Sequence, residues 1–239
     1  MKENSLEIPI GEIVAEKMSR SRVFEQYGLD YCCGGQTSLN EACRKKGINP
    51  KEVLNALVEL DTKVTKSDSI DWRKVKLTEL ADHIEATHHS YLNNELPRLN
   101  NLMEKVVKAH SERHPELAKV AETLKALTEE LTQHLAKEEE ILFPIIRQME
   151  ANGDTKFHCG EVANPIRVME MEHSNAGNAL ASLKLLTNDY KAPVDGCKTY
   201  QALLAGLAEL EFDIHQHILK ESSILFPGAI ALEETLKQN

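Results

Sequence analysis

The sequence predicts an all-α protein, an up-down four-helix bundle preceded by a small helical N-terminal domain. Three observations predict it. Leu, Ala, Glu and Lys are abundant while aromatic residues make up only 5% of the chain, a composition that favours helices over sheet. Four segments, about 76–109, 115–149, 164–187 and 197–224, carry apolar residues at three- and four-residue spacing between polar breaks. A phrase in the second segment, HLAKEEEILFP at 134–144, returns in the fourth as HILKESSILFP at 217–227.

The first domain spans residues 1–62, with short helical patterns punctuated by Pro9, Gly34-Gly35, Gly47 and Pro50. LNEACRKKG reads as a short helix stopped by Gly47, and KEVLNALVEL as another with Pro50 at its first position. Residues 63–75 form a polar linker without apolar period, and the bundle fills 76–239. Breaks fall at RHPE (113–116), ANGDTKFHCGE (151–161) and NDYKAPVDG (188–196). Asn164 before Pro165 reads as the cap of the third long helix.

The totals narrow the function. A net charge of −10 argues against nucleic-acid binding, since phosphate recognition wants a basic face. No apolar run reaches the roughly 20 residues that span a bilayer. The N-terminus lacks the continuous apolar core of a signal peptide. Five irregularly spaced cysteines do not make a disulfide framework, so a reduced, cytoplasmic protein is expected.

Aligning His134 with His217 superimposes Leu124, Leu127, Leu131, Glu138 and Ile141 on Leu207, Leu210, Ile214, Glu221 and Ile224. This is the inward stripe of a bundle helix, with a histidine and a glutamate set into an aliphatic seam. The preceding helices repeat as well. His89 is followed by Leu96 and Leu99, His173 by Leu180 and Leu183; His89 lies 45 residues before His134, and His173 lies 44 before His217. The alignment selects His89 over His88, whose own stripe runs into Tyr91 and Glu95. His83, His88, His110, His114 and His215 have no repeat partner and read as surface residues. Glu130 and Asp213, each four residues before a repeated histidine, read as helix charges or as acceptors orienting an imidazole.

A bare buried glutamate costs several kcal/mol unless it is neutral, paired or metal-bound. A lone histidine on an apolar stripe is ordinarily a hydrogen-bonded core residue, but six polar residues in one duplicated register point to a two-metal site; a metal-free polar network is the competing reading. Mixed imidazole and carboxylate suits iron or manganese. Two octahedral ions need about twelve positions. Four histidines, two bridging glutamates and an oxo or hydroxo bridge leave about one open position per metal.

The pattern His89, His134-x3-Glu138, His173, His217-x3-Glu221 resembles a hemerythrin-type di-iron bundle, with glutamate in both His-x3-Glu pairs. YGLDYCCGG at 27–35 resembles the cysteine-pair domain that precedes such bundles in the iron–sulfur cluster repair di-iron proteins of the RIC, or ScdA/YtfE, type. Asp71-Trp72 and the LFP after each pair also fit that family, whereas His158 and Cys159 in FHCGEV fall outside its pattern. The resemblance implies a cytoplasmic stress-response protein whose two irons sit on His89, His134, Glu138, His173, His217 and Glu221. Its partners would be iron–sulfur proteins damaged by nitric oxide or oxidants, with nitric oxide or dioxygen as small ligands and a homodimer as the assembly. Iron donation is the leading reading; nitric oxide reduction and hemerythrin-like gas binding are the alternatives. Cys32 and Cys33, beside flexible glycines and poorly placed for a mutual disulfide, are candidate iron-transfer or redox thiols. Cys43 and Cys197 read as structural.

Overall fold

The computed structural model describes residues 6–32, 34–63 and 70–238. Cys33 and the middle of the expected linker therefore lie outside the described residues. The protein is all-α, and among the described residues there are two isolated β-bridges, Pro9–Ser38 and Phe157–Gly160, and no strand. No helix among them is long and apolar enough to cross a membrane.

The N-terminal unit holds α1 (Ile10–Glu16), α2 (Ser21–Gln26), α3 (Leu39–Lys46) and α4 (Pro50–Lys63). Ser38 caps α3 by accepting the Glu41 N–H at 3.3 Å, and Gly47 closes it in the left-handed conformation at φ 68°. Pro50 opens α4 at its first position, where a missing N–H costs nothing.

Four antiparallel passes follow. The first is α5 (Leu77–Ile84) and α6 (Ser90–His110), the second α7 (Leu117–Lys137) and α8 (Phe143–Asn152), the third α9 (Ala163–Leu186), the fourth α10 (Lys198–Lys220) and α11 (Phe226–Gln238). Helix α6 packs against α7 and α10, and α7 against α9. Three passes are not continuous α-helices. Each widens into one π turn, at Glu85–His89, Glu138–Leu142 and Glu221–Leu225. Two of these have a cause in the sequence. Pro144 and Pro227 have no N–H to return to the carbonyls of Glu140 and Ser223, four residues back inside the π turns. The LFP that ends each repeated phrase therefore marks a change of helical pitch.

Asn164 does not cap the third pass. The helix begins at Ala163 with Val162 at its cap position, and the Asn164 amide donates instead to the Cys159 carbonyl at 2.9 Å, closing the FHCGE loop. Pro165 sits in the first turn, where its lost N–H is tolerated.

One apolar core runs from Ile10, Phe24, Leu39 and Leu57 of the N-terminal unit into Leu99, Leu127, Leu207 and Ile218 of the bundle. A second fills the end built by α5, α8 and α11. The N-terminal unit is seated on the fourth pass. Buried Tyr31 donates to Glu25 Oε1 at 2.6 Å and accepts from Gln216 Nε2 at 3.0 Å, next to His217. Helix α1 crosses the π turn at 221–225 through Gly11, where an added Cβ would lie 2.7 Å from Ser223 Oγ. Gly11 N–H in turn donates to the Gly35 carbonyl at 2.9 Å.

Gly35 is fixed by this closeness. A Cβ there would lie 2.6 Å from the Tyr31 carbonyl oxygen, a backbone atom that cannot swing aside. Gly35→Ala is expected to cost on the order of 1–3 kcal/mol, read as a lower midpoint in chemical denaturation. An unchanged midpoint would show that the turn relaxes without strain.

Candidate metal centre

The fold brings all six repeat-selected residues together, and each is buried. His89 ends the first π turn, Glu138 and Glu221 open the other two, His134 and His217 lie one turn before those glutamates, and His173 projects from α9. They form two clusters whose ligand atoms lie within 4.8 Å of one another: His89, His217, Glu138 and Glu221 in one, and His134, His173, Glu138 and Glu221 in the other. Both carboxylates belong to both clusters. Glu138 turns Oε2 to His89 at 3.3 Å and Oε1 to His134 at 3.4 Å. Glu221 turns Oε1 to His217 at 3.0 Å and Oε2 to His173 at 3.1 Å. Each carboxylate thus divides its oxygens between two imidazole pairs.

The electrostatics suit cation binding. Glu138 and Glu221 are 0% exposed, and both Glu138 oxygens, Glu221 Oε2 and His89 Nε2 have no hydrogen-bond partner. Such orphaned atoms each cost about 1–3 kcal/mol unless something else engages them. Burial, and then the nearby Glu221 charge, pushes the Glu138 carboxyl well above the usual carboxylate range. Burial acts on Glu221 in the same sense, but His217 and His173 outweigh it and hold that carboxyl low. Burial carries His217 down to about 3, and burial and then His173 lower His134. Those two imidazoles are held in the neutral form that binds metals.

The surrounding contacts follow the duplication, and sequence reasoning missed most of them. The residue after each shared glutamate engages the single histidine of its own hairpin: His89 Nδ1 meets Glu139 Oε1 at 2.7 Å and His173 Nδ1 meets Ser222 Oγ at 3.2 Å. The phenylalanine of each LFP stacks on the same histidine, Phe143 on His89 at 5.6 Å and Phe226 on His173 at 5.7 Å. The residue before each single histidine supports the opposite hairpin. Glu172 accepts from His134 Nδ1 at 3.0 Å, and His88 stacks parallel on His217 at 5.3 Å. Lys137 then pairs with Glu172, and its repeat partner Lys220 lies 2.7 Å from His88 Nε2.

Two surface expectations are corrected by these contacts. His88 is buried because Asp213, at 2.8 Å from Nδ1, and Lys220 satisfy both ring nitrogens. His110 is buried at the far end of the bundle, and His83, His114 and His215 are partly buried. Of the repeated acids, Asp213 serves His88 and not a repeated histidine, while Glu130 is exposed. Cys32 lies apart from the clusters, buried, with its thiol 3.2 Å from Asp30 Oδ1. It lines a cleft of about 710 Å³ shared with Tyr31, Ser174, Ala181, Phe212 and His215.

A four-pass bundle enclosing two imidazole pairs and two shared carboxylates is a cation-binding module, and the comparisons with known proteins agree. Residues 80–229 match the hemerythrin HHE cation binding domain, and residues 6–61 match ScdA_N, a domain of unknown function. A probable iron-sulfur cluster repair protein of Haemophilus influenzae is 35% identical, across 92% of this chain and 96% of its own length. The iron-sulfur cluster repair protein YtfE of Enterobacter sp. is 36% identical across 94% and 97%, and that of Edwardsiella ictaluri 36% across 93% and 96%. The chain belongs to the iron–sulfur cluster repair proteins that join an ScdA-type N-terminal domain to a hemerythrin domain.

In the metal-free chain the orphaned Glu138 carboxyl is a liability. Glu138→Leu is expected to raise the thermal midpoint of chelator-treated protein, by the equivalent of about 1–3 kcal/mol. A lowered midpoint would mean that the carboxyl has a compensating partner.

Proposed function

We propose that this chain repairs iron–sulfur clusters damaged by nitrosative and oxidative stress, and that it does so by donating iron from a non-haem two-iron centre. The observation that carries this reading is the sharing of Glu138 and Glu221 by both clusters. The residues fit such a centre: four imidazoles and two carboxylates are a donor set for iron, and both Glu138 oxygens and Glu221 Oε2 are buried without a hydrogen-bond partner. His89 and His217 would hold one iron, His134 and His173 the other, and both glutamates would bridge. Bound there, the iron pair supplies redox capacity and exchangeable metal.

The remaining work falls to the chain. Glu139, Glu172 and Ser222 fix the ring orientation of three histidines. Leu131, Ala176, Ile214 and Ile218 wall a small pocket leading to His134, His173 and His217, an apolar approach suited to nitric oxide or dioxygen. Cys32, in its cleft beside the bundle, is the proposed iron-transfer thiol together with Cys33, which lies outside the described residues. The protein acts in the cytoplasm, as a homodimer, on damaged iron–sulfur proteins.

The test is recovery of a cluster-damaged dehydratase by iron-loaded protein. Recovery no better than with an equal amount of free ferrous iron would sink the donation reading. Nitrous oxide released by the reduced protein exposed anaerobically to nitric oxide would favour the reductase alternative. Purified protein is expected to hold about two irons per chain. Glu138→Leu and Glu221→Leu should each lose both, whereas Cys32→Ser should keep both and lose repair. Full iron in Glu138→Leu would remove Glu138 as a bridge, and iron loss in Cys32→Ser would merge the thiol with the metal centre.

A further inference from the structure

Three of the four clustered histidines make a hydrogen bond at Nδ1: His89 to Glu139, His134 to Glu172 and His173 to Ser222. His217 differs. Its Nε2 lies 3.0 Å from Glu221 Oε1, and among the described residues nothing hydrogen-bonds its Nδ1. What it has instead is the ring of His88, parallel to within 1° at a centroid distance of 5.3 Å. Parallel rings at that separation form an offset stack.

The helix that carries His217 also holds the stacked ring in place. Asp213, His217 and Lys220 stand at positions i, i+4 and i+7 of α10, a single stripe of the helix. His88 reaches across from the first π turn and lies along that stripe. Its Nδ1 is 2.8 Å from Asp213 Oδ1 and its Nε2 is 2.7 Å from Lys220 Nζ. An ammonium has protons to give and no lone pair, so Nε2 accepts from Lys220 and Nδ1–H donates to Asp213. The ring is gripped at both ends by the residues that flank His217 on its own helix, and its face rests on the imidazole between them. Burial of His88 alone would be satisfied at any ring angle.

The repeat shows what this plate replaces. Glu172 precedes His173 as His88 precedes His89, and it bonds His134 directly while pairing with Lys137. With an imidazole in the place of that carboxylate, the second ring nitrogen needs an acceptor, and Asp213 supplies it. In the other half no such acceptor is called for, and Glu130, the counterpart of Asp213, is exposed.

We propose that His88 is a positioning residue for His217: clamped by Asp213 and Lys220, it fixes by stacking the ring plane that hydrogen bonds fix for the other three histidines. The proposal deepens the two-iron reading and rests on it. Its consequence is local. His88 stacks on a ligand of the cluster that holds His89 and His217, so its loss would disturb the iron there and spare the iron on His134 and His173.

The test uses full-length protein loaded with the Mössbauer-active isotope of iron, with folding checked by circular dichroism. His88→Leu is expected to change the quadrupole splitting of one iron only. Titration with a ferrous chelator should find that iron held about tenfold more weakly or worse, the other keeping its affinity. Since this variant strands Lys220 and Asp213, the clamp is also tested from its half-buried end. Asp213→Ala should reproduce the one-iron change, and Asp213→Asn, which keeps an acceptor for Nδ1–H, should restore the wild-type spectrum. A general loosening of the bundle would alter both irons and would not be rescued by Asn. Two irons bound with both signals unchanged in His88→Leu and Asp213→Ala, or with both changed together, would overturn the proposal and leave the two-iron reading standing. Wild-type protein that binds no iron pair would overturn that reading and the proposal with it.

Discussion

Two carboxylates buried at the centre of a helical bundle are the constraint to which the rest of this protein answers. Neither Glu138 nor Glu221 reaches water, and side by side they repel whenever both are ionised. A chain can tolerate that arrangement only by surrounding it with groups that accept the charge or by supplying cations. The first response is visible. Four imidazoles face the carboxylate oxygens, and the helices that carry three of the six residues widen into π turns where the side chains must converge. Aliphatic residues complete the seam, keeping the dielectric low and the carboxylates confined.

The duplication extends past the six residues to their supports. Lys137 and Lys220, Phe143 and Phe226, Glu139 and Ser222 occupy matching places and make matching contacts, although the last pair differs in chemistry. Between them, Glu139 and Glu172 place one carboxylate behind one imidazole in each cluster. A carboxylate behind the ring raises its basicity and fixes its tautomer. Each half of the centre thus receives the same electronic support, although by a different route, since Glu139 serves its own hairpin and Glu172 the other.

Much of this was legible in the sequence because it is periodic. The four passes, their breaks, Gly47 and Pro50 follow from local spacing, and the six buried residues follow from aligning one phrase with its copy. What escaped was non-local or broke the period. The π turns are invisible to a search at 3.6 residues per turn, though the prolines of the two LFP motifs mark two of them. Glu139 shared a register with Ser222, but their unlike side chains hid the shared role. His88 read as surface because its own stripe is polar; Asp213 and Lys220, from another helix, are what allow it inside. His110 is buried with Tyr200 beside it, a neighbour brought by a loop. Asn164 carried the residue type of a cap but spent its amide on a carbonyl five residues back.

The seating of the N-terminal unit has a consequence for this duplicated design. Its contacts fall on one side only: Tyr31 grips Gln216 beside His217, and Gly11 rests on Ser223, while the matching positions Gln133 and Glu140 receive no such contact from α1 or Tyr31 among the bonds and close approaches described. The bundle by itself is near to a molecule with two interchangeable halves. The docked unit is a symmetry-breaking element that gives the centre a front and a back. Any displacement of the Tyr31–Cys32 loop is transmitted to one histidine of the four, so that an event at the thiol would address one half of the centre before the other.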